Sequence, residues 1–451
     1  MTRRHRATIF LLFLGDVVAL YAALLLTLVL RYGNGWYRAF VDVHFTPFTI
    51  IFIPWLIIFY IAGLYDLRRL RNNLDFLKTL ALSLVVNAVI AALLFYAIPL
   101  FGIAPKTNLF IFIIVFAIVE VFWRRLFNRL TESAEAPNKV LLVGTSAAAK
   151  EVYAMAAENP QLGYAIKAQL DEATAERTPV AVEKSARDSG ANLIVVPREL
   201  KQKNALAAVL YRLFGEGTSV MDLEHFYELI TRKVPLDELG ETWFLENIEH
   251  AGRFYEPLKR AIEFLFAIVI GLVLLPFEIL IALIVKLTSR GPVLIRQQRT
   301  GKNGAPFTFY KFRSMVALSA DGQAETTGAQ WAAGKNDARI TPFGKLIRLT
   351  HLDELPQLWN VIRGDLSFVG PRPERPEFVA KLKTQVPFYE MRLLITPGVT
   401  GWAQINHRAD LTIDDVKQKL QYDIYYLKNR SPILDIAIVL KTIKSLFVNP
   451  Q

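Results

Sequence analysis

The chain contains no cysteine in 451 residues. That removes disulfide frameworks, iron–sulfur clusters, thiolate zinc sites and cysteine nucleophiles together. Histidine is also scarce. The six present are scattered and never form His-Glu-x-x-His, which argues against a zinc hydrolase. No Walker A sequence and no Asp-x-Asp pair occurs, so a P-loop NTPase and an ordinary metal-dependent glycosyltransferase both fit poorly. Charge is thin, at 21% of residues against 53% hydrophobic and 12% aromatic. Soluble domains hold roughly 45–50% apolar residues, so the excess points to surface buried in lipid. Acid is in deficit, 41 Asp+Glu against 52 Lys+Arg for a net +11. The partner is therefore anionic: nucleic acid, lipid headgroups or a phosphorylated substrate. The length allows two or three domains.

Four long apolar runs open the chain, over 8–30, 47–64, 78–100 and 108–123. Each approaches the ~20 residues that cross a ~30 Å hydrocarbon core. The first begins like a signal peptide with Arg3, Arg4 and Arg6, but its apolar part is too long and no small-residue cleavage site follows at 31–34, so it reads as a retained helix. Arg68, Arg69, Arg71 and Lys78 lie between the second and third runs, and Arg124, Arg125 and Arg129 at the end of the fourth. The alternate loops carry only Arg31, Arg38 and Lys106. Positive-inside asymmetry then predicts four transmembrane helices with both ends cytoplasmic, and everything beyond residue 130 on the cytoplasmic side. Only the Glu120 end of a span holds an acid suited to a proton or ion relay, which argues for an anchor and against a transporter.

After a polar stretch over 131–138 (TESAEAPN), the segments 139–144 (KVLLVG), 191–197 (ANLIVVP) and 218–223 (TSVMDL) read as buried parallel strands separated by helices. That pattern predicts a doubly wound, Rossmann-like α/β domain over 137–250, following a membrane bundle over 1–136. The dinucleotide fingerprint is missing, because Gly144 is followed by Thr145-Ser146-Ala147-Ala148-Ala149-Lys150. A Tyr-x-x-x-Lys spacing occurs once, at Tyr255 and Lys259, but it encloses Pro257 and lies beyond the domain. The module reads as structural or regulatory, with a phosphate-bearing ligand at Gly144, Thr145 and Ser146 as the alternative.

Residues 261–285 form a further 25-residue apolar run broken by Glu263, Pro276 and Glu278. Straight, it is about 37 Å long and able to span. Lys259 and Arg260 precede it and Lys286 and Arg290 follow it, so both ends prefer the same side of the membrane. Pro276 removes a backbone donor and favours a kink. A re-entrant membrane hairpin over 258–288, bent at Pro276, is the expectation, within a mostly helical catalytic domain over 251–451.

Between positions 290 and 350 ten Lys or Arg oppose only Asp321, Glu325 and Asp337, supplying +7 of the net +11. Headgroup binding beside a membrane segment would explain such a patch. The next residues, Leu352-Asp353-Glu354-Leu355-Pro356, put adjacent acids just before a proline that suits the first turn of a helix, so a helix is expected from about 355 to 361. Two carboxylates near Lys and Arg can hold Mg2+ together with substrate phosphates. Alternatively, one of them can attack phosphorus and form an acyl phosphate.

The stretches 298–301 (QRTG), 306–315 (PFTFYKFRSM), 352–373 (LDELPQLWNVIRGDLSFVGPRP) and 396–404 (TPGVTGWAQ) resemble, in order and wording, the bacterial sugar transferases. These are the monotopic phosphoglycosyl transferases, and the N-terminal layout is similar to that of their long-form members. The resemblance implies transfer of a sugar-1-phosphate from a UDP-sugar to undecaprenyl (polyprenyl) phosphate with release of UMP, starting an exported glycan of the exopolysaccharide, O-antigen or capsule type. It implies a ping-pong route with Asp353 as nucleophile and Glu354 as ligand of Mg2+. It places Lys311, Arg313, Arg348 and the Pro371-Arg372-Pro373 turn around the diphosphate and uridine, with Arg363, Asp365 and Arg375 as further site members. Asp365 can alternatively cap a turn with Gly364. The resemblance further implies a multi-pass protein of the bacterial inner membrane with a cytoplasmic active site among membrane lipids, admits a homodimer, and leaves no role for nucleic acid.

The chain departs from the family's usual wording at Leu275 and His351, where many members have Ser, and at Asn406-His407-Arg408, which replaces a Gly-containing run. The donor sugar is therefore not specified. Two other classes are weighed against the enzyme. A non-catalytic scaffold of a glycan-assembly complex is opposed by the intact Asp353, Glu354, Lys311 and Pro-Arg-Pro turn. A membrane-anchored nucleotide-sugar dehydratase or epimerase is opposed by the missing glycine fingerprint.

Overall fold

The computed structural model describes residues 3–65, 74–98, 101, 106–132, 138–248, 255–316, 339–407 and 412–448. Arg68, Arg69, Arg71, Asp321, Glu325, Lys335, Asp337, Arg408 and most of the polar stretch over 131–138 fall outside them. The chain divides into two compact units, Met1–Thr231 and Arg232–Gln451.

In the first unit the apolar runs become helices α1 (Arg3–Tyr32), α2 (Phe45–Ala62), α3 (Leu74–Ala97) and α4 (Lys106–Glu132). Phe48, Trp55 and Phe59 recur at helical spacing on α2 and meet Phe112 and Phe116 of α4, ring against ring, at 5.3–6.0 Å between centroids. The opposite faces leave Phe10, Ile53, Val85, Leu93, Phe110 and Phe122 exposed. A bundle apolar on its outside as well as its inside suits lipid. By length and composition the stretches Ala7–Ala62 and Phe76–Ala97, and Tyr255–Thr288 in the second unit, are sufficient to cross a membrane.

The bundle buries more charge than the sequence suggests. Asp16 on α1 is fully buried, and it joins Glu120 as a second acid inside the apolar runs. Both are engaged by Arg124, whose Nη2 lies 2.5 Å from Asp16 Oδ2 and whose Nε lies 2.6 Å from Glu120 Oε1. Arg124 Nη1 also donates to the Leu64 carbonyl, and Trp123 Nε1 donates to Asp16. Buried charge persists when it is paired and hydrogen-bonded in this way.

Four parallel strands follow: β1 (Asn138–Val143), β2 (Tyr164–Leu170), β3 (Leu193–Val196) and β4 (Ser219–Asp222), in the order β2-β1-β3-β4. Side chains alternate across a strand. Val140, Leu142, Leu193 and Val195 thus meet helices α5 (Ala147–Glu158) and α6 (Leu223–Thr231) on one face. Leu141, Val143, Ile194 and Val196 meet the segments over 175–186 and 200–213 on the other. The sequence reading did not include β2. It is an edge strand with only Tyr164 buried, so it lacks the continuous apolar run that marks β1 and β3. At the end of β1, Gly144 adopts φ +134°. The next residue is already occupied: Thr145 donates its N–H and Oγ1 to Glu172, at 2.8 and 3.0 Å.

The second unit is built on helix α7 (Tyr255–Thr288), 34 residues long, with Pro276 inside it. The expected break into two arms is not seen; the helix continues through the proline. Proline deletes one hydrogen bond and bends the axis, but the ladder on either side can persist. Both ends of α7 are fastened to the same body. Near the start, Lys259 Nζ donates to the Val369 carbonyl and the Tyr426 hydroxyl at 2.8 Å each. Arg260 donates to the carbonyls of Val361 and Ile362. Near the end, Arg313 Nη2 donates to the carbonyls of Val285 and Ser289 at 3.1 and 2.7 Å. Between these anchors Leu265, Phe266, Leu272, Val273, Phe277 and Ile279 point outward. Lys259 is thus committed to structure, and its spacing from Tyr255 is coincidental.

An antiparallel hairpin, β5 (Leu294–Thr300) and β6 (Pro306–Phe312), packs its Phe309 and Phe312 against Ala267, Ile281 and Val285 of α7. A short parallel pair, β7 (Ser367–Val369) and β8 (Gly398–Thr400), follows. The unit's further helices include α8 (Pro342–Leu349), α9 (Gln357–Arg363), α10 (Ile413–Asn429) and α11 (Pro432–Val448). Helix α11 buries Ala437 and Ile438 and exposes Ile433, Ile436, Val439 and Ile443 as one apolar stripe.

Candidate active site

The acid pair lies where α8 hands over to α9. Thr341 caps α8 by accepting from the Gly344 amide at 2.9 Å, and Pro342 fills its first position. The chain then turns at His351, which takes a left-handed φ of +56°. A single 3₁₀ turn, Leu352–Glu354, carries Asp353 and Glu354, and α9 begins at Gln357, two residues later than expected. Asn360, fully buried on α9, pins this assembly to the hairpin. Its Nδ2 donates to the Thr308 carbonyl at 2.7 Å and its Oδ1 accepts from the Tyr310 amide at 3.2 Å. Lys311, the next residue of β6, is thereby held within electrostatic reach of Asp353.

The two carboxylates occupy different environments. Asp353 is 8% exposed; burial, reinforced by the Glu354 charge, raises its pKa to about 6 against the pull of Lys311 and Arg348. Burial is the largest influence on Glu354 too, but the Arg372 guanidinium, 3.0 Å away, together with Gln357 and His351 holds Glu354 below the ordinary range. Burial pulls the Lys311 pKa down, and Asp353 opposes that shift. A pair of acids split in this way, with cations on both sides, marks a reaction centre more often than a solvated surface.

Arg372 is presented by the Pro371-Arg372-Pro373 turn, whose prolines have no amide to donate. The turn is held through its carbonyls instead. Pro371 accepts from the Gly398 amide at 2.8 Å, Arg372 from Arg392 Nη2 at 2.9 Å, and Pro373 from Arg299 Nη1 at 3.1 Å. Glu374 accepts from the Thr300 amide at 2.8 Å. Glycine is required behind the turn: a Cβ on Gly398 would lie 2.1 Å from the Gly370 nitrogen, and one on Gly401 would lie 2.2 Å from the Gly370 oxygen.

Asp353, Glu354, Lys311, Arg348, Arg372 and the two prolines are therefore brought together. Arg313 is not: it is 1% exposed and its Nη2 donates to the carbonyls of Val285 and Ser289 at the end of α7. Arg363 and Asp365 pair with each other at 3.3 Å around the Gly364 turn, at the far end of α9 from Glu354. Arg375 precedes the helix Pro376–Gln385 and lies over Phe378, where its charge helps burial to pull the Arg299 pKa down to about 10. Pro276 is remote from the pair in sequence and sits within α7. Arg299, Asn360 and Arg392 belong to the site's support and were not singled out from sequence. Arg299 and Asn360 do lie inside the quoted motifs, but a motif does not say which of its residues face inward.

The chain belongs to the bacterial sugar transferase family, whose model matches residues 254–449. It is 39% identical over 227 residues to a UDP-N-acetylgalactosamine-undecaprenyl-phosphate N-acetylgalactosaminephosphotransferase of Aeromonas hydrophila, covering 50% of this chain and 52% of that one. It is 40% identical over 194 residues to a UDP-glucose:undecaprenyl-phosphate glucose-1-phosphate transferase of Escherichia coli K12, covering 43% and 40%. An exopolysaccharide production protein, PSS, of Rhizobium leguminosarum bv. phaseoli is 40% identical over 195 residues, which is 42% of this chain but 94% of that protein. The chain thus spans about half, or less, of the first two relatives and nearly all of the third.

Proposed function

We propose that this protein moves a sugar-1-phosphate from a UDP-sugar to a polyprenyl phosphate, undecaprenyl phosphate by analogy with the names of its relatives. A carboxylate oxygen of Asp353 attacks the β-phosphorus of the donor. The bond from that phosphorus to the bridging oxygen breaks, UMP leaves with that oxygen, and the phosphosugar remains on Asp353. An oxygen of the lipid phosphate then attacks the same phosphorus, frees the carboxylate and yields a polyprenyl diphosphate sugar. The observation that carries this reading is the buried Asp353, with a pKa near 6, between Lys311 and Arg348 on one side and the Glu354–Arg372 pair on the other. A group of that pKa is ionised at neutral pH yet poorly solvated, which suits a nucleophile.

The donor set fits magnesium in one form only. Among the described residues no three His, Asp or Glu gather as a protein cage. Two adjacent hard-oxygen ligands completed by substrate phosphates are the usual magnesium arrangement. Glu354, with Asp353 beside it, would hold the ion, and the ion would neutralise diphosphate charge. Lys311, Arg348 and Arg372 supply positive charge to the same oxygens as the phosphoryl group transfers.

The reading places the chain in the bacterial inner membrane, with four N-terminal spans, a Rossmann-like middle domain and the catalytic unit at the cytoplasmic face. It treats α7 as re-entrant. Support comes from its two ends, which are bonded to one body and flanked by Lys259, Arg260, Lys286 and Arg290. A homodimer is part of the same reading. The test is UMP release by the full chain in nanodiscs with undecaprenyl phosphate, magnesium and a panel of UDP-sugars. Release that depends on the lipid phosphate and is lost in Asp353→Asn supports the reaction. Release that survives in Asp353→Asn removes the nucleophile assignment.

A further inference from the structure

The Pro-Arg-Pro turn receives four hydrogen bonds on four successive carbonyls, and three of them come from the short strands beside it: the Gly398 amide, Arg299 and the Thr300 amide. The fourth comes from elsewhere. Arg392 lies in the 3₁₀ segment Tyr389–Leu394 and is 7% exposed. Its three guanidinium nitrogens address three partners: Nη2 the Arg372 carbonyl at 2.9 Å, Nη1 the Tyr389 hydroxyl at 2.7 Å, and Nε the Asp423 carboxylate at 3.0 Å. Asp423 is 2% exposed and stands on α10. Lys419, one turn earlier on α10, and Glu374 share the small cavity that Tyr389, Arg392 and Asp423 line.

A buried arginine hydrogen-bonded through both Nη atoms and ion-paired with Asp423 beside Nε has little freedom. Its guanidinium is planar, so fixing two nitrogens fixes the direction of the third. Asp423 and Tyr389 therefore aim Nη2 at the backbone of the very residue whose side chain pairs with Glu354. We propose that Arg392, oriented by Asp423 and Tyr389, is a positioning residue for Arg372, so that the rate of sugar-phosphate transfer depends on helix α10 through the backbone of the Pro-Arg-Pro turn. Lysine cannot replace it, because one ammonium cannot meet the carboxylate, the phenol and the carbonyl in that geometry.

The kinetic arm of the test rests on the reading of Asp353 and Glu354 given above; the exchange arm does not. In the full chain, Arg392→Lys is expected to lower kcat for UMP release about tenfold, within the range by which contacting residues couple, with a smaller change in KM for the UDP-sugar. Combined with Arg372→Gln it is expected to add nothing, because Arg392 acts through the guanidinium that the glutamine variant lacks. Amide exchange at Gly370, Arg372 and Glu374 should rise in Arg392→Lys while α10 stays protected. Tyr389→Phe and Asp423→Asn, which each remove one anchor, should give the same pattern more weakly and serve if Arg392→Lys does not fold. Multiplying effects of Arg392→Lys and Arg372→Gln, or unchanged exchange over 370–374, would overturn the proposal. If the wild type releases no UMP with any donor, the reaction reading fails, and the exchange result alone decides the positioning role.

Discussion

Arg372 reaches Oε1 of Glu354 at 3.0 Å, and the arginine comes from a turn 18 residues further along the chain. This contact separates two neighbouring acids that sequence alone would treat alike. It neutralises Glu354 and leaves Asp353 as the carboxylate whose charge is least compensated. Removing the guanidinium should therefore disturb both. Arg372→Gln is expected to cut kcat/KM for UMP release by roughly ten- to a hundredfold, since a partly buried charge loses its hydrogen-bonded partner. Arg372→Lys should lose less because it keeps the charge. Equal activity of the glutamine variant and wild type would show that the pair has no part in the reaction.

The raised pKa of Asp353 gives the pH dependence a sign. On the proposed route the attacking form is the carboxylate, so activity should climb with pH through about 6, where Asp353 loses its proton, and flatten above. Lys311 favours the charged form of Asp353, so Lys311→Met should move that acid limb to higher pH as well as lower its plateau. Asp353→Asn should have no limb to measure, and no phosphosugar should remain on the protein after donor is added. An acid limb in the same place in wild type and Lys311→Met would separate Lys311 from the nucleophile.

Gly398 tests how tightly the Pro-Arg-Pro turn is seated. Its amide bonds Pro371, and a methyl group there would meet the Gly370 nitrogen at 2.1 Å, backbone against backbone. Neither side can yield by a rotamer change, so β7 and β8 must separate. Gly398→Ala is expected to destabilise the protein by about 1–3 kcal/mol, the usual penalty for overpacking, and to lose most UMP release. The exposed Gly215, with nothing within 4 Å of its own missing Cβ, is a control that should tolerate alanine in activity.

The candidate site was legible in the sequence because it sits in contiguous wording: Asp353, Glu354, Lys311, Arg348 and the Pro-Arg-Pro turn all fall in or beside short motifs, and the structure gathers them. The strands β1 and β3 were legible for a similar reason, since each is a buried run of apolar residues; β4 was read at the right place, but it is an edge strand with no buried residue. What escaped notice depends on which way a side chain turns. Arg313 lies two residues from Lys311 on the same stretch, yet it caps α7 instead of facing the acids. Arg392 and Asp423 are 31 residues apart, and nothing local says that a charged pair will be buried between them. Edge strand β2 was missed because half-exposed alternation resembles loop composition, and Asp16 because an acid in an apolar run shows no partner until Arg124 is placed 108 residues away.

That last contact carries its own prediction. Arg124, Asp16 and Glu120 are all 1% exposed or less, and one guanidinium serves both acids. Replacing it leaves two uncompensated carboxylates among Tyr65, Trp123 and the rings of the bundle. Arg124→Met is therefore expected to destabilise the bundle by about 3–5 kcal/mol, the usual penalty for breaking a buried ion pair from one side. Its exposed neighbour serves as the control: Arg125→Met should change the thermal midpoint in detergent by little. Neutralising the whole cluster, with Asp16→Asn and Glu120→Gln added to Arg124→Met, should recover part of the loss, because no charge then remains buried without a partner. If the triple variant is no more stable than Arg124→Met alone, the penalty comes from lost packing around the long arginine side chain and not from the charges it pairs.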